Sequence, residues 1–250
     1  MSKHREIEYC CISAIGKKRK INQDNYYVVG KHRTLYQSDS VVVGRFLSTS
    51  GRIVAVFDGM GGESSGEMAS LIAAENCSRF DKITNTPINS LKEMCIYLNR
   101  MVCSYSFDHG ISSMGTTLAA LKFDNDLVTA CNLGDSSIFR INEVGLSKIS
   151  KDHVFNDHTG GKLPLIQFLG LPEKEGVLTP HFYSCNVDPD DIFLICSDGL
   201  TDEVDADDIE KICLSEICAE SAADHLVNLA LKNGGNDNIT VIVCRVTDCK

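Results

Sequence analysis

Residues 52–70 read RIVAVFDGMGGESSGEMAS. Ile53 to Phe57 are apolar and partly β-branched, which suits a strand buried on at least one face. The run stops at Asp58, and Gly59, Gly61 and Gly62 follow around Met60. Backbone without Cβ atoms can approach an ion or a phosphate closely and can take positive φ, so this corner can present Asp58 together with a main-chain carbonyl. Ser64 and Glu67 have the S-x-x-E spacing of a capping box. Behind them Ala69, Ile72, Ala73, Cys77 and Phe80 share one helical face. The unit is predicted as strand, acidic glycine corner, helix.

Three other readings compete for this corner. Gly62-Glu63-Ser64-Ser65-Gly66 matches the G-x-S-x-G nucleophile elbow, but that elbow needs its serine directly at the strand-to-helix turn, and here Ser64 is better explained as a helix cap. A phosphate-cradling loop of the G-x-x-x-x-G-K-[ST] type fails because Glu67 stands where lysine is required. A tight turn with a surface aspartate is the default for an isolated corner, but this one has counterparts elsewhere in the chain.

The chain has 250 residues, enough for one large domain over 1–250, and nothing in it marks a linker. Its 24 basic and 34 acidic residues give a net charge of −10, which argues against nucleic acid or an anionic membrane as partner. Bound divalent cations would offset part of that charge. The twelve cysteines are scattered, without a C-x-x-C pair or a Cys/His cluster at zinc spacing. Cys131, Cys196 and Cys244 lie in apolar stretches, where a reduced cysteine acts as a small hydrophobe. No apolar segment is long enough to span a bilayer, and Glu6 and Glu8 interrupt what would be the apolar core of a signal peptide. A cytoplasmic protein is expected.

Residues 7–14 are predicted as a first strand, followed by the basic run Lys17-Lys18-Arg19-Lys20 in a solvated loop, then Asn22-Gln23-Asp24-Asn25 turning into a second strand. A cation just ahead of an acidic turn could hold an anion beside a metal. Thr86-Pro87 marks a helix start. Ile88, Leu91, Cys95, Leu98, Val102 and Tyr105 form its apolar stripe, read as core. Residues 116–149 switch to short strands separated by turn residues, predicted as an antiparallel meander containing a second acidic corner, Gly134-Asp135-Ser136. Residues 150–178 are irregular and suit a surface flap. The strand 192–196 runs into Ser197-Asp198-Gly199, helices are predicted near 206–213 and 219–231, and Gly234-Gly235-Asn236-Asp237-Asn238 precedes a last strand. Two helix pairs interrupting a mainly antiparallel β sequence imply an α+β fold of stacked sheets with helices on the outer faces.

Asp24, Asp58, Asp135, Asp198 and Asp237 all fall at strand edges or glycine turns. One such aspartate is normally a turn former. Several at one end of a sandwich are different, because charges ~5 Å apart at an effective dielectric of ~20 repel by roughly 3 kcal/mol per pair. Hard oxygen donors without histidine or thiolate then point to Mg²⁺ or Mn²⁺.

Arg19 with Asn22-Gln23-Asp24, Asp58-Gly59-Met60-Gly61-Gly62, Gly115-Thr116-Thr117, Gly134-Asp135-Ser136, Ser197-Asp198-Gly199-Leu200 and Gly235-Asn236-Asp237-Asn238 together resemble, in order, the motif series of the metal-dependent serine/threonine phosphatases of type 2C. The likeness is to their compact bacterial members. It implies an α-β-β-α sandwich with two metal ions at one end. By that resemblance Asp58 bridges both ions, Asp198 and Asp237 hold one, the Gly59 carbonyl binds the other, and Asp24 orders metal-bound water. Asp135 matches the position that helps to hold a third, weaker ion, and Arg19 binds the substrate phosphate. The implied chemistry is in-line attack of a metal-bridging water on phosphoserine or phosphothreonine, with a phosphoprotein as substrate, an opposing serine/threonine kinase and a monomeric enzyme. The chain departs from the pattern at Gln23, where many relatives have glutamate, at Met60, where some have a candidate acid histidine, at Ser137, where many have arginine, and in a short flap. His109 and His153 are expected at the surface. The alternative reading is a regulatory binding module of the same fold without turnover.

Overall fold

The computed structural model describes residues 5–61, 65–82, 86–155 and 163–248. Ser64, and with it both the predicted capping box and the serine elbow, lies outside the described residues. Among the described residues eleven strands form two antiparallel sheets, of six and of five strands along the path, and a twelfth, short strand is attached. In chain order they are β1 Arg5–Ala14, β2 Asp24–Val28, β3 Ser40–Leu47, β4 Arg52–Gly61, β5 Met114–Thr116, β6 Leu118–Asp124, β7 Leu127–Leu133, β8 Ser137–Asn142, β9 Gly145–Lys148, β10 His181–Asn186, β11 Ile192–Cys196 and β12 Ile239–Asp248. The helices are α1 Ser65–Cys77, α2 Pro87–Asp108, α3 Asp198–Thr201, α4 Ala206–Ser215 and α5 Ala219–Asn233.

One sheet runs β3-β1-β12-β11-β8-β9 and the other β10-β7-β6-β4-β2, with β5 paired to the end of β4. Strand periodicity of two sends alternate side chains to opposite faces. Val54 and Val56 of β4, Phe193 and Ile195 of β11, and Ile242 and Cys244 of β12 meet in the core between the sheets. The alternate residues Ile53, Ala55 and Phe57 pack with Ala69, Ala73 and Cys77 of α1 and with Leu91, Cys95 and Leu98 of α2. Leu194, Cys196, Val241 and Val243 pack with Ile209 of α4 and Leu226 of α5 on the opposite side. The layering is helices, sheet, sheet, helices, the α+β sandwich expected. Strands buried on both faces read as continuous apolar runs, as IFLIC in β11 does.

Several local expectations are corrected. β4 does not end at Asp58 but continues through Gly61, because Gly59 to Gly61 pair with β5. The 116–149 meander is two hairpins in different sheets: β6 pairs with β7 and β8 with β9, and the chain crosses between sheets at Gly134-Asp135-Ser136. β3 and β10 were not predicted, since both are half exposed and their patterns are weak. Thr86 makes no side-chain cap, although Pro87 opens α2. Cys131, Cys196 and Cys244 are buried free thiols, and burial pushes each of them up. No helix among the described residues is long and apolar enough to cross a membrane.

Candidate active site

The alternation that builds the core also aims the acids. Asp24 shares the face of Tyr26 and Val28, and Asp58 that of Val54 and Val56, so both look into the gap between the sheets at its open end. They are register partners, directly opposite on β2 and β4. Ser197, one step beyond Cys196, faces the same gap and donates from Oγ to Asp24 Oδ2 at 2.7 Å. The Thr240 amide donates to Ser197 Oγ at 3.0 Å, which fixes the hydroxyl in that direction.

The backbone of Asp58 is held by its neighbours. The Thr117 amide and the Thr116 hydroxyl each donate to the Asp58 carbonyl at 2.9 Å, and the Asp58 amide donates to Thr117 Oγ1 at 2.9 Å. Thr117 Oγ1 lies 2.7 Å from Ser136 Oγ, which ties this end of β4 to the corner that carries Asp135. The Gly59 amide reaches the Gln23 carbonyl at 3.2 Å. A Cβ on Gly59 would stand 2.1 Å from the Gly66 carbonyl oxygen, and one on Gly199 would stand 2.0 Å from that of Asn238. Each glycine follows an aspartate of the set because the chain segments crowd together there.

Asn238 joins the two halves: its Oδ1 accepts from the Gln23 amide at 2.8 Å, and its Nδ2 donates to the carbonyls of Ile15 at 2.9 Å and Ile21 at 3.1 Å. Arg19 donates from NH2 to Asp237 Oδ2 at 2.6 Å. That bond raises the Arg19 pKa further, as do the nearby charges of Asp237, Asp58 and Asp198, against a smaller opposing effect of burial. Asp24 is 1 % exposed, and burial lifts its pKa to about 7. Hydrogen bonds from Ser197 and Thr240 pull it down, while the charges of Asp198 and Asp237 push it up. Asp135 and Asp198 line a cavity of about 450 Å³ with Ser137, Lys148 and Asp202. All the predicted site residues therefore gather at one end of the sandwich.

Metal ions fit this donor set on two counts. The buried Oδ1 of Asp24 has no hydrogen-bond partner, and the convergent groups are oxygens throughout. Among the described residues no three Asp, Glu, His or Cys side chains form a ready-made ligand cluster. Mutual repulsion of carboxylates opposes one, and Arg19 takes an oxygen of Asp237 instead.

Of the two histidines expected at the surface, one is there and one is not. His109 is exposed and stacked on Tyr105, with ring centroids 3.9 Å apart. His153 is buried rather than at the surface, and burial lowers its pKa. Sequence reasoning missed Arg33. Its buried guanidinium donates to the carbonyls of Asp24 at 2.9 Å, Asn22 and Gln37, and meets Glu67 Oε1 at 3.5 Å. No local pattern marks an arginine after Lys31-His32; the nine-residue separation from Asp24 closes only in the turn after β2.

A family model described as protein phosphatase 2C matches residues 35–232. The chain is 30% identical over 214 residues to "Serine/threonine protein phosphatase PstP" of Mycobacterium tuberculosis, covering 79% of this chain and 41% of that one. The chain thus spans about two fifths of that relative's length. It is 29% identical over 209 residues to "Serine/threonine phosphatase stp" of Listeria monocytogenes, covering 76% of this chain and 83% of the relative. The solved catalytic domain of PstP, in complex with 2 manganese ions, superimposes with a TM-score of 0.79 at 26% identity, covering 98% of this chain and 100% of that one.

Proposed function

The chain belongs to the protein phosphatase 2C family, and on that premise we propose that it is a Mg²⁺- or Mn²⁺-dependent phosphatase of phosphoserine and phosphothreonine in proteins, with residues 1–250 as one catalytic domain. The observation that carries this reading is the convergence of Asp24, Asp58, Asp198 and Asp237, four carboxylates from four separate chain segments, the last three acting on the exposed guanidinium of Arg19.

Asp58, the Gly59 carbonyl, Asp198 and Asp237 would hold two divalent ions, with Asp24 ordering water beside them and Asp135 helping to hold a weaker third. Ions so held supply Lewis-acid stabilisation of phosphoryl charge and a water acidic enough to attack at neutral pH. Arg19 orients the substrate: its side chain is 48% exposed, and the planar fork that meets Asp237 can donate two parallel bonds to phosphoryl oxygens. The Ser197 hydroxyl favours the ionised form of Asp24 against the effect of burial and keeps its carboxylate pointed into the gap. Met60 offers no proton, and neither His109 nor His153 lines the cavity beside Asp135 and Asp198, so the leaving alkoxide takes its proton from water. A cytoplasmic monomer opposing a serine/threonine kinase completes the reading.

Hydrolysis of para-nitrophenyl phosphate and of a phosphothreonine peptide, with Mn²⁺, with chelator and in Asp198→Asn, tests this. Activity should require the ion and fall at least about a hundredfold in the variant, since even the partners of metal ligands cost ~10–100-fold when lost. Folded, ion-binding protein that hydrolyses neither substrate would refute it.

A further inference from the structure

A second cleft of about 310 Å³ lies between the loop that carries Arg19 and the 36–38 loop, and shares no lining residue with the cavity beside Asp135. Ile15, Ile21 and Tyr36 give it apolar walls, Lys20 and Gln37 stand at it, and Glu67 reaches it from α1. Clefts for whole small ligands run from ~300 to 1,000 Å³; this one, at the bottom of that range, has room for one large side chain.

Three observations set it apart from an ordinary surface dent. Tyr36 is 96 % exposed yet sits at φ +67°, a conformation that non-glycine residues seldom adopt and that clusters at functional positions. The loop that carries it is fastened to the active-site loop: Arg33 NH1 donates to the carbonyls of Thr34 at 3.4 Å and Gln37, Asn22 Nδ2 donates to the Ser38 carbonyl at 2.7 Å, and the Ile15 amide donates to Asp39 Oδ1 at 2.8 Å. The same guanidinium holds the carbonyls of Asn22 and Asp24, so the cleft and the catalytic aspartate share one rigid frame. Lastly, on a chain of net charge −10 the residues Lys17, Lys18, Arg19 and Lys20 form an exposed cationic run at the cleft's edge.

From these observations, and resting on the phosphatase reading above, we propose that the cleft is a specificity subsite for the phosphoprotein. It takes an apolar side chain within two residues of the phosphorylated one, packed on Tyr36 and Ile21, and Lys20 meets an adjacent carboxylate. Lys20, which lines the cleft, is the residue next to Arg19, and two extended residues of a substrate span about 7 Å. Glu67 meets Arg33, and of the described residues lining the cleft Lys20 carries the positive charge that faces the partner.

The test is kcat/KM on phosphothreonine peptides in which a Leu-Asp pair is walked from two residues before to two residues after the phosphothreonine in a Gly-Ser background, with para-nitrophenyl phosphate in parallel. One register should exceed the Gly-Ser parent by about tenfold, the scale of one apolar group in a pocket. Tyr36→Ala should erase that advantage, Tyr36→Phe should keep it, and Lys20→Gln should remove only the aspartate's share. The exposure of Tyr36 makes loss of fold in these variants an unneeded explanation. Equal rates in all registers, or a preference that survives Tyr36→Ala, overturn the subsite while turnover of para-nitrophenyl phosphate leaves the phosphatase reading standing. Without any turnover the phosphatase reading fails, and fluorescence anisotropy of the same peptides decides the subsite: equal affinities overturn it, and a Tyr36-dependent register sustains it.

Discussion

The Arg33 guanidinium, 1 % exposed, donates to the carbonyls of Asn22, Asp24, Thr34 and Gln37 and lies 3.5 Å from Glu67. Removing it strands buried acceptors and a buried carboxylate, so Arg33→Met should lower unfolding stability by about 3 kcal/mol or more in urea titration. A loss below about 1 kcal/mol would show that water replaces the frame. Ser197 acts on a single bond. Its hydroxyl stabilises the ionised form of Asp24, so Ser197→Ala should raise the Asp24 pKa and move the acidic limb of the pH–rate profile to higher pH. Asp58, Asp135 and Asp198 were legible because each stands next to glycine at the end of an apolar run, and Asp24 and Asp237 because each sits in a polar turn just ahead of a strand. Ser197 was legible only as part of its motif, and Arg33 not at all, because its partners come from backbone carbonyls that any sequence provides.

β4 carries Phe57 into one core, Asp58 into the gap between sheets and Gly59 against α1, in three successive residues. That alternation follows from the pleat, so a strand ending in aspartate could be read directly. Its continuation through Gly61 could not, since the pairing partner β5 lies more than fifty residues away and has three residues of its own. Close packing of elements explains the glycines better than turn geometry does. At Gly199, where α3 meets the start of β12, an added Cβ would lie 2.0 Å from the Asn238 carbonyl oxygen. Gly199→Ala should therefore cost roughly 3 kcal/mol in thermal or urea unfolding and weaken Mn²⁺ binding in calorimetry, because Asp198 and Asp237 stand on the two segments forced apart. Unchanged ion affinity in a destabilised variant would separate the packing from the site.

Across the whole molecule, the acidic end of the sandwich couples stability to pH and to cations. The folded pKa of Asp24, about 7, lies above its ordinary value of 3.8. Between these values the folded state keeps a proton that the unfolded chain has released. The stability this contributes is complete below about pH 4 and is lost as pH rises through about 7. In chelator the melting temperature should fall over that window, and fall less in Asp24→Asn. Mn²⁺ at a hundred times its dissociation constant should restore about 2.7 kcal/mol per site, and a pH-independent melting temperature would contradict the assignment. The layers and most of the acids follow from local patterns: period-two runs, helical stripes and aspartate-glycine corners are readable because burial and chain geometry act residue by residue. Tertiary structure alone decided which strands share a sheet, that the chain changes sheets at Gly134-Asp135-Ser136, that Arg19 rests on Asp237, and that Arg33 binds two loops into one frame. Those outcomes depend on contacts between segments far apart in sequence, whose pairing is set by the joint packing of both sheets.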